Sequence, residues 1–449
     1  MQRYDNYSPS GVAWLGDIPS SWECKKIGSL FSQRKTKVSD KDYMPLSVSK
    51  GGIVPQLDTA VKTDAGDNRK LVKTGDFVIN SRSDRKGSCG ISPLDGSVSL
   101  INIVLEPRQH WNSRYIHYLM RSPIFSEEYY RYGRGIVSDL WTTRFSEMKN
   151  ILLPIPSIEE QKQIVRYLDW QVSKINKLIS SKKKEIDLLK ERQKTFISNI
   201  VLSGTNPGAK KEDSGISWIG DIPSHWKTYR CKYLFSERDE RSIEGKEQHL
   251  SMSQKYGLVP DTILDERRML SESYAGGKIC YENDLVLNRL KAHLGVFSLA
   301  PQMGVISPDY TVLIPRIERI IPAYAEVVLK SHKCRRELRV RVKGVTEGFW
   351  RLYTDSFNTI VLPVPPVEEQ KSIMDEIKLF EEKTANYISV ILKEVEVLYE
   401  LRNKLISDVV TGQIDVRDID VPEFEFVDEI EDESDEDTDE ENDNVDEEE

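Results

Sequence analysis

The stretch "ILLPIPSIEEQKQI" occupies Ile151–Ile164, and "IVLPVPPVEEQKSI" occupies Ile360–Ile373, 209 residues later. In each, a Pro-x-Pro (Pro154 and Pro156; Pro363 and Pro365) stops a run of short apolar segments, and paired glutamates come next. Proline is poorly tolerated inside a helix but well tolerated at its start, so both stretches predict a helix beginning just after the prolines. Ser157 is a good N-cap with Glu160 three residues on, a capping box; Pro366 replaces that serine in the second copy, so the box is lost there. Glu159, Glu160, Glu368 and Glu369 suit the positive end of a helix dipole.

Downstream of the first stretch, apolar residues fall at Ile164, Leu168, Ile175, Ile179, Ile186, Leu189, Phe196 and Ile200. After the second they fall at Ile373, Ile377, Phe380, Tyr387, Ile391, Leu398, Leu405 and Val409. Steps of three, four and seven mark a coiled-coil-like stripe. Each helix is predicted to run about 40 residues, hence about 60 Å. The first ends at "SGTNPG" and the second at "TGQ", both with glycine. A lone amphipathic helix of this length cannot hide its stripe, so the economical arrangement packs the two antiparallel, with an approximate two-fold axis.

The echo extends upstream. "WLGDIPSSW" (Trp14–Trp22) and "WIGDIPSHW" (Trp218–Trp226) agree at seven of nine positions, at offset 204. "LFSQR" (Leu30–Arg34) answers "LFSER" (Leu234–Arg238), and "LSVSKGGIVP" (Leu46–Pro55) answers "LSMSQKYGLVP" (Leu250–Pro260). "GDFVINSR" (Gly75–Arg82) answers "NDLVLNR" (Asn283–Arg289); Trp141 and Gly135 answer Trp350 and Gly344. The chain is a tandem duplication with a period far too long for a solenoid.

Within each copy, "DFVIN", "VSLINIVL", "DLVLN" and "YTVLIP" read as strands, and "NSRYIHYLMRSP" and "PAYAEVVLKS" as helices. The expected fold is α+β: two similar domains (1–156 and 214–365), two long antiparallel helices in a coiled coil (157–204 and 366–412), a linker at 205–213, and a disordered acidic tail at 413–449.

A length of 449 residues suits two or three domains. Hydrophobic residues at 39% and charged residues at 30% describe a soluble globular composition. No apolar run approaches the ~20 residues of a membrane-spanning helix. The start, "MQRYDNYSPSG", has no apolar h-region, so no signal peptide is expected. Five scattered cysteines without a CxxC pair argue for a reducing, cytoplasmic setting and against a disulfide framework or zinc site. The net charge of −10 conceals a division. Residues 418–449 hold 20 of the 73 acidic residues and no Lys or Arg, so residues 1–417 set 63 basic against 53 acidic residues, a net +10. A basic body points weakly to nucleic acid. The tail should be disordered by self-repulsion, and either solubilises the chain or competes with DNA.

Catalytic constellations are missing. There is no GxGxxG, Walker loop, HExxH or GxSxG, nor the [NDS]PP[YFW] motif of amino-methyltransferases. Glu160-Gln161-Lys162 and Glu369-Gln370-Lys371 echo half of a nuclease site, but they sit at a helix start and lack a Pro-Asp partner. The six histidines show no metal-ligand spacing.

The doubled "LPIPSIEEQKQI" and "LPVPPVEEQKSI", with the "GDIPSSW…KIGSLF" and "GDIPSHW…KYLF" openings, resemble the specificity subunit of type I restriction–modification systems over about 410 residues. The acidic tail departs from that pattern. The resemblance implies two target-recognition domains, each reading half of an asymmetric bipartite DNA site, with the helix pair as a ruler. It implies two modification subunits docked on the helices, and restriction subunits beyond them. S-adenosylmethionine, ATP and Mg would be handled by those partners, and this chain would bind no cofactor and do no chemistry. Alternatives remain: a non-catalytic coiled-coil scaffold without a DNA role, or a methyltransferase or nuclease with a cryptic site.

Base edges are read by Arg and Lys on guanine and by Asn and Gln on adenine, and phosphates by Lys, Arg, Ser and Thr. On that basis the first copy offers Ser47, Ser49, Lys50, Asn80, Arg82, Arg85, Lys86, Arg131, Arg134 and Arg144. The second offers Ser251, Ser253, Lys255, Asn288, Arg289, Lys291, Arg339, Arg341, Lys343 and Arg351. Trp141 and Trp350 are expected to be core anchors, as are Trp14, Trp22, Trp218 and Trp226; Asn80 and Asn288 could instead terminate strands.

Overall fold

The computed structural model describes all residues except 1, 57–66, 83–84, 109–110, 136–140, 254–255, 264–273, 345–349 and 428–449, and the side chain of 293. The chain divides into two compact units. Unit 1 comprises 1–184 and 391–449, and unit 2 comprises 185–390. Each therefore holds one α+β domain, the first part of the long helix that follows it, and the last part of the other long helix.

In unit 1 a four-stranded antiparallel sheet runs in the order Cys89–Ile91, Phe77–Asn80, Asn102–Pro107, Phe31–Gln33. A second sheet joins Gly96–Val98, Arg69–Val72 and Lys37–Val38. In unit 2 the corresponding sheet runs Phe297–Leu299, Leu285–Asn288, Tyr310–Pro315, Phe235–Arg238, the same order of pairing. The "VSLINIVL" run is two strands, because the chain turns at Ser99–Ile101. Helices Ser113–Arg121 and Pro322–Lys330 cover the cores; Asn112 caps the first by accepting from Arg114 N and Tyr115 N.

The recurring sequence landmarks are fasteners. Arg34 pairs with buried Asp76 (2.8 and 3.1 Å), as Arg238 does with Asp284 (2.8 and 3.3 Å), which explains the two arginines that close "LFSQR" and "LFSER" and the aspartates beside them in space. Gln161 Oε1 accepts from Asn112 N, and its amide donates to Pro156 O; Gln370 does likewise with Ile321 N and Pro365 O. The "EEQK" motif thus pins each helix start to the domain before it. Ser157 Oγ accepts from Glu160 N, so the cap forms, but the Glu160 carboxylate does not return to complete the box. It accepts instead from Tyr4 and Trp22.

The long helices span Ile158–Ser203 and Val367–Val410. In unit 1, Asn176 meets Arg402 (3.1 Å) and Lys182 meets Glu394 (2.8 Å). In unit 2, Phe196 stacks on Phe380 with ring centroids 4.1 Å apart. Tyr387 does not belong to the buried stripe: it is 65% exposed, while Thr384 is buried. The seven-residue step from Phe380 overshoots; the inward position lies four residues on, where a threonine breaks the apolar pattern. Each helix ends on a glycine of positive φ, Gly204 (+73°) and Gly412 (+75°). A Cβ at Gly412 would strike the Pro19 ring, and one at Gly204 would crowd Glu369 and Trp226. The "GDIPxxW" motif is therefore the seat on which an arriving helix terminates.

The expectation of disorder from residue 413 is corrected for Gln413–Val427. Val416 and Val421 are buried in the core of unit 1. Gln163 donates to Val416 O and Ile419 O, Arg166 to Val421 O, and Val427 N donates to Ser173 Oγ. Asp415 N donates to Gln2 O. The apolar half of "IDVRDIDVPEFEFV" outweighs its charge. Residues 428–449 lie outside the described residues.

Candidate nucleic-acid interface

In unit 1 a cleft of about 810 Å³ opens between the strand after Phe31, the start of the Arg69–Val72 strand and the short helix Phe145–Met148. Lys35, Lys37, Lys70, Arg82, Arg144 and Lys149 line it, with Ser81, Thr142, Thr143 and Ser146, and no carboxylate among the described residues does. Backbone pairing assembles it: Arg82 and Arg134 both bridge to Thr142, and Thr143 N donates to Ser81 O (2.9 Å). Lys70 donates to Leu100 O and Asn102 O, and burial, then the neighbouring Lys35 charge, lower its pKa. Lys35, Lys37, Arg82, Arg144 and Lys149 have no side-chain hydrogen bond or ion pair among the described residues. Such a concentration of unpaired cations beside hydroxyls suits a polyanionic backbone.

The structure sorts the expected residues. Arg82, Arg134 and Arg144 gather here, and Trp141 stands 36% exposed beside them rather than in the core. Asn80 is buried, and its Oδ1 accepts from Arg82 N, so it terminates a strand. Asn288 does the same for Leu290 N and Lys291 N. Arg131 is committed to Glu128 through two bonds (2.6 and 2.7 Å), which raises its pKa; Lys86 pairs with Glu127. Arg85 is exposed. Ser47, Ser49 and Lys50 lie on or at the tip of the hairpin Leu46–Ser49/Gly52–Pro55, where Ser49 closes the turn on Gly51 N.

In unit 2, Ser251 is held by Asp261 and Ser253 accepts from Tyr256 N. Arg289 and Arg351 converge on Asp309 (3.2 and 3.7 Å), and Arg341 pairs with Glu337 (2.7 Å). Arg339 and Lys343 are exposed, and Lys291 is half-buried. Lys255 lies outside the described residues. Sequence reasoning missed Lys35, Lys37, Lys70 and Lys149. The dense "QRKTKV" (Gln33–Val38) was the available signal, set against "ERDERS" (Glu237–Ser242) in the other copy.

Among the described residues, the equivalent place in unit 2 carries a different charge. The position of Lys35 is taken by Asp239 and that of Gln33 by Glu237. These flank buried Lys278 at 3.8 and 3.4 Å, and Asp239 also pairs with Arg241.

Residues 19–188 match the family described as the type I restriction modification DNA specificity domain. The chain is 22% identical over 430 residues to the type I restriction enzyme MjaVIII specificity subunit of Methanocaldococcus jannaschii, covering 90% of this chain and 95% of that one. It is 20% identical to the putative MjaX specificity subunit of the same organism, over 90% and 96%. A chain solved in work on complex assembly and conformational transition of the type I R-M system has the same fold, with TM-score 0.56 and 14% identity over 88% of this chain and 99% of that one. Residues 19–188 thus match a type I restriction–modification DNA specificity domain, and over nine tenths of its length the chain is similar to type I specificity subunits. No described helix is long and apolar enough to cross a membrane.

Proposed function

We propose that this chain is the DNA-reading, non-catalytic subunit of a cytoplasmic type I restriction–modification complex. Each unit reads one half of an asymmetric bipartite site. The two long helices form an antiparallel coiled coil with an approximate two-fold, which sets the unread gap. Modification subunits dock on the helices and supply S-adenosylmethionine, and restriction subunits bring ATP and Mg. The observation that carries the reading is the cation-lined cleft inside the very segment, 19–188, that matches the specificity domain. Exposed Leu392, Val397 and Leu401 in unit 1, and Leu188, Leu379 and Val390 in unit 2, support a docking role for the helices.

The test is long-read methylation sequencing of the host genome with and without the gene. Loss of one bipartite adenine-methylated motif on deletion is the expected result. An unchanged methylome, in cells where the chain copurifies with an active methyltransferase, would overturn it.

A further inference from the structure

Two features of unit 1 have no counterpart among the described residues of unit 2. One is the cleft whose cations, Lys35, Lys37, Arg82, Arg144 and Lys149, stand without ion pairs among the described residues. The other is the segment Gln413–Val427, which crosses the first long helix and is fastened there by Gln163, Arg166 and Ser173. That segment delivers the chain, at Val427, to a run of 22 residues, 428–449, of which 16 are Asp or Glu and none is Lys or Arg. The fastening fixes which unit the run issues from.

We propose that the acidic run 428–449 binds the cation-lined cleft of its own unit 1 and competes there with DNA. Charge and reach both suit the run to this seat. Twenty-two residues span up to about 75 Å when extended. A compact unit of this size has a radius of gyration of roughly 18 Å, so the run can reach any face of it. Tethering sets an effective concentration on the order of millimolar, enough for a weak polyanion contact to be occupied. Among the described residues unit 2 offers no rival seat at the equivalent place, because Glu237 and Asp239 pair with Lys278 and Asp239 with Arg241. The consequence, which rests on the DNA reading above, is an uneven pair. The half-site read by unit 1 is electrostatically gated, and the one read by unit 2 is not. Nonspecific duplex, which offers only phosphates, is turned away more strongly than a target that adds base contacts.

The experiment uses the full chain, a chain ending at Val427, and each with Lys35→Glu/Lys37→Glu. A carbodiimide joins carboxylates directly to lysine amines without a spacer. The full chain should yield cross-links from 428–449 to Lys35, Lys37 or Lys149, and nonspecific duplex should abolish them. Truncation should tighten binding of that duplex at least tenfold, on the order expected for removing a tethered competitor, at low salt, with little change at high salt. In the charge-reversed background truncation should change nothing. Absence of the cross-links, or an equal gain from truncation in both backgrounds, would overturn the proposal. So would cross-links found only between light and heavy chains in an isotopic mixture. Cross-links from a chain whose truncated form binds no duplex would keep the docking and remove the DNA reading instead.

Discussion

The Trp22 indole donates to Glu160 Oε1 at 2.9 Å, and the Tyr4 hydroxyl donates to the same oxygen at 2.7 Å. One buried carboxylate thus ties the opening motif of the chain to the first turn of the first long helix. Glu160→Ala leaves two buried donors unpaired and should destabilise unit 1 by about 2–4 kcal/mol. Glu369, its counterpart, meets His225, which is half exposed, and Trp226 Nε1 has no partner among the described residues. Glu369→Ala should therefore cost less, about 1 kcal/mol or under. Scanning calorimetry of both variants checks the order; equal losses would contradict it.

His117 supplies a pH dependence. Burial first, then the Arg121 and Arg114 charges, lower its pKa to about 3. Arg121 lies 2.9 Å from Nε2 and Ile91 N lies 3.4 Å from Nδ1, so a donor faces each ring nitrogen and a second ring proton would find no acceptor. Unfolded histidine titrates near 6.5, so the unfolded state binds the proton first as pH falls. The contribution is intact above pH 6.5 and is lost progressively from there toward about 3. Urea midpoints measured between pH 7 and 4.5 should fall more steeply for the natural chain than for His117→Gln.

The cleft predicts a division among surface arginines. Arg82→Ala and Arg144→Ala should weaken duplex binding and lower the salt slope by about 1 each, with stability unchanged to within about 0.5 kcal/mol. Arg131→Ala and Lys86→Ala should leave the slope alone, because those charges are spent on Glu128 and Glu127. A common loss across all four would mean that bulk charge, not this cleft, holds the DNA.

Ending the chain at Gln413 uncovers the core around Val416 and Val421 and strips the side chains of Gln163 and Arg166 of the carbonyls they donate to. Burying a valine contributes about 1.5 kcal/mol or more, so unit 1 should lose several kcal/mol. Ending the chain at Val427 should cost far less, about 1.4 kcal/mol for the loss of a contact that weakens duplex binding tenfold. Hydrogen exchange would localise the loss to unit 1.

The duplication, the strands within "DFVIN", "VSLINIVL", "DLVLN" and "YTVLIP", and both helix starts were legible because they depend on local chemistry: Pro-x-Pro stops, glutamates at a helix start and short apolar runs. The cleft was not, because Lys35 and Arg144 are far apart in sequence and meet only through the Ser81–Thr143 pairing. Isolated arginines also look alike in sequence; whether Glu128 lies beside Arg131 or nothing lies beside Arg144 is decided by folding. Counting charge alone merged Gln413–Val427 with the acid-rich run after it, although Ile414, Val416, Ile419, Val421, Phe424 and Phe426 place an apolar residue at every second or third position.

The hydrogen bond from Asp415 N to Gln2 O closes unit 1 at the place where unit 2 is closed by the continuous chain from Gly204 to Lys211. The fold therefore does not dictate which unit must be translated first. A gene opened in the Asn206–Gly208 turn, with Val427 joined to Gln2 through a flexible linker, would encode the same fasteners in the opposite order. For such a molecule, reading order along the messenger is a matter of history rather than of mechanics.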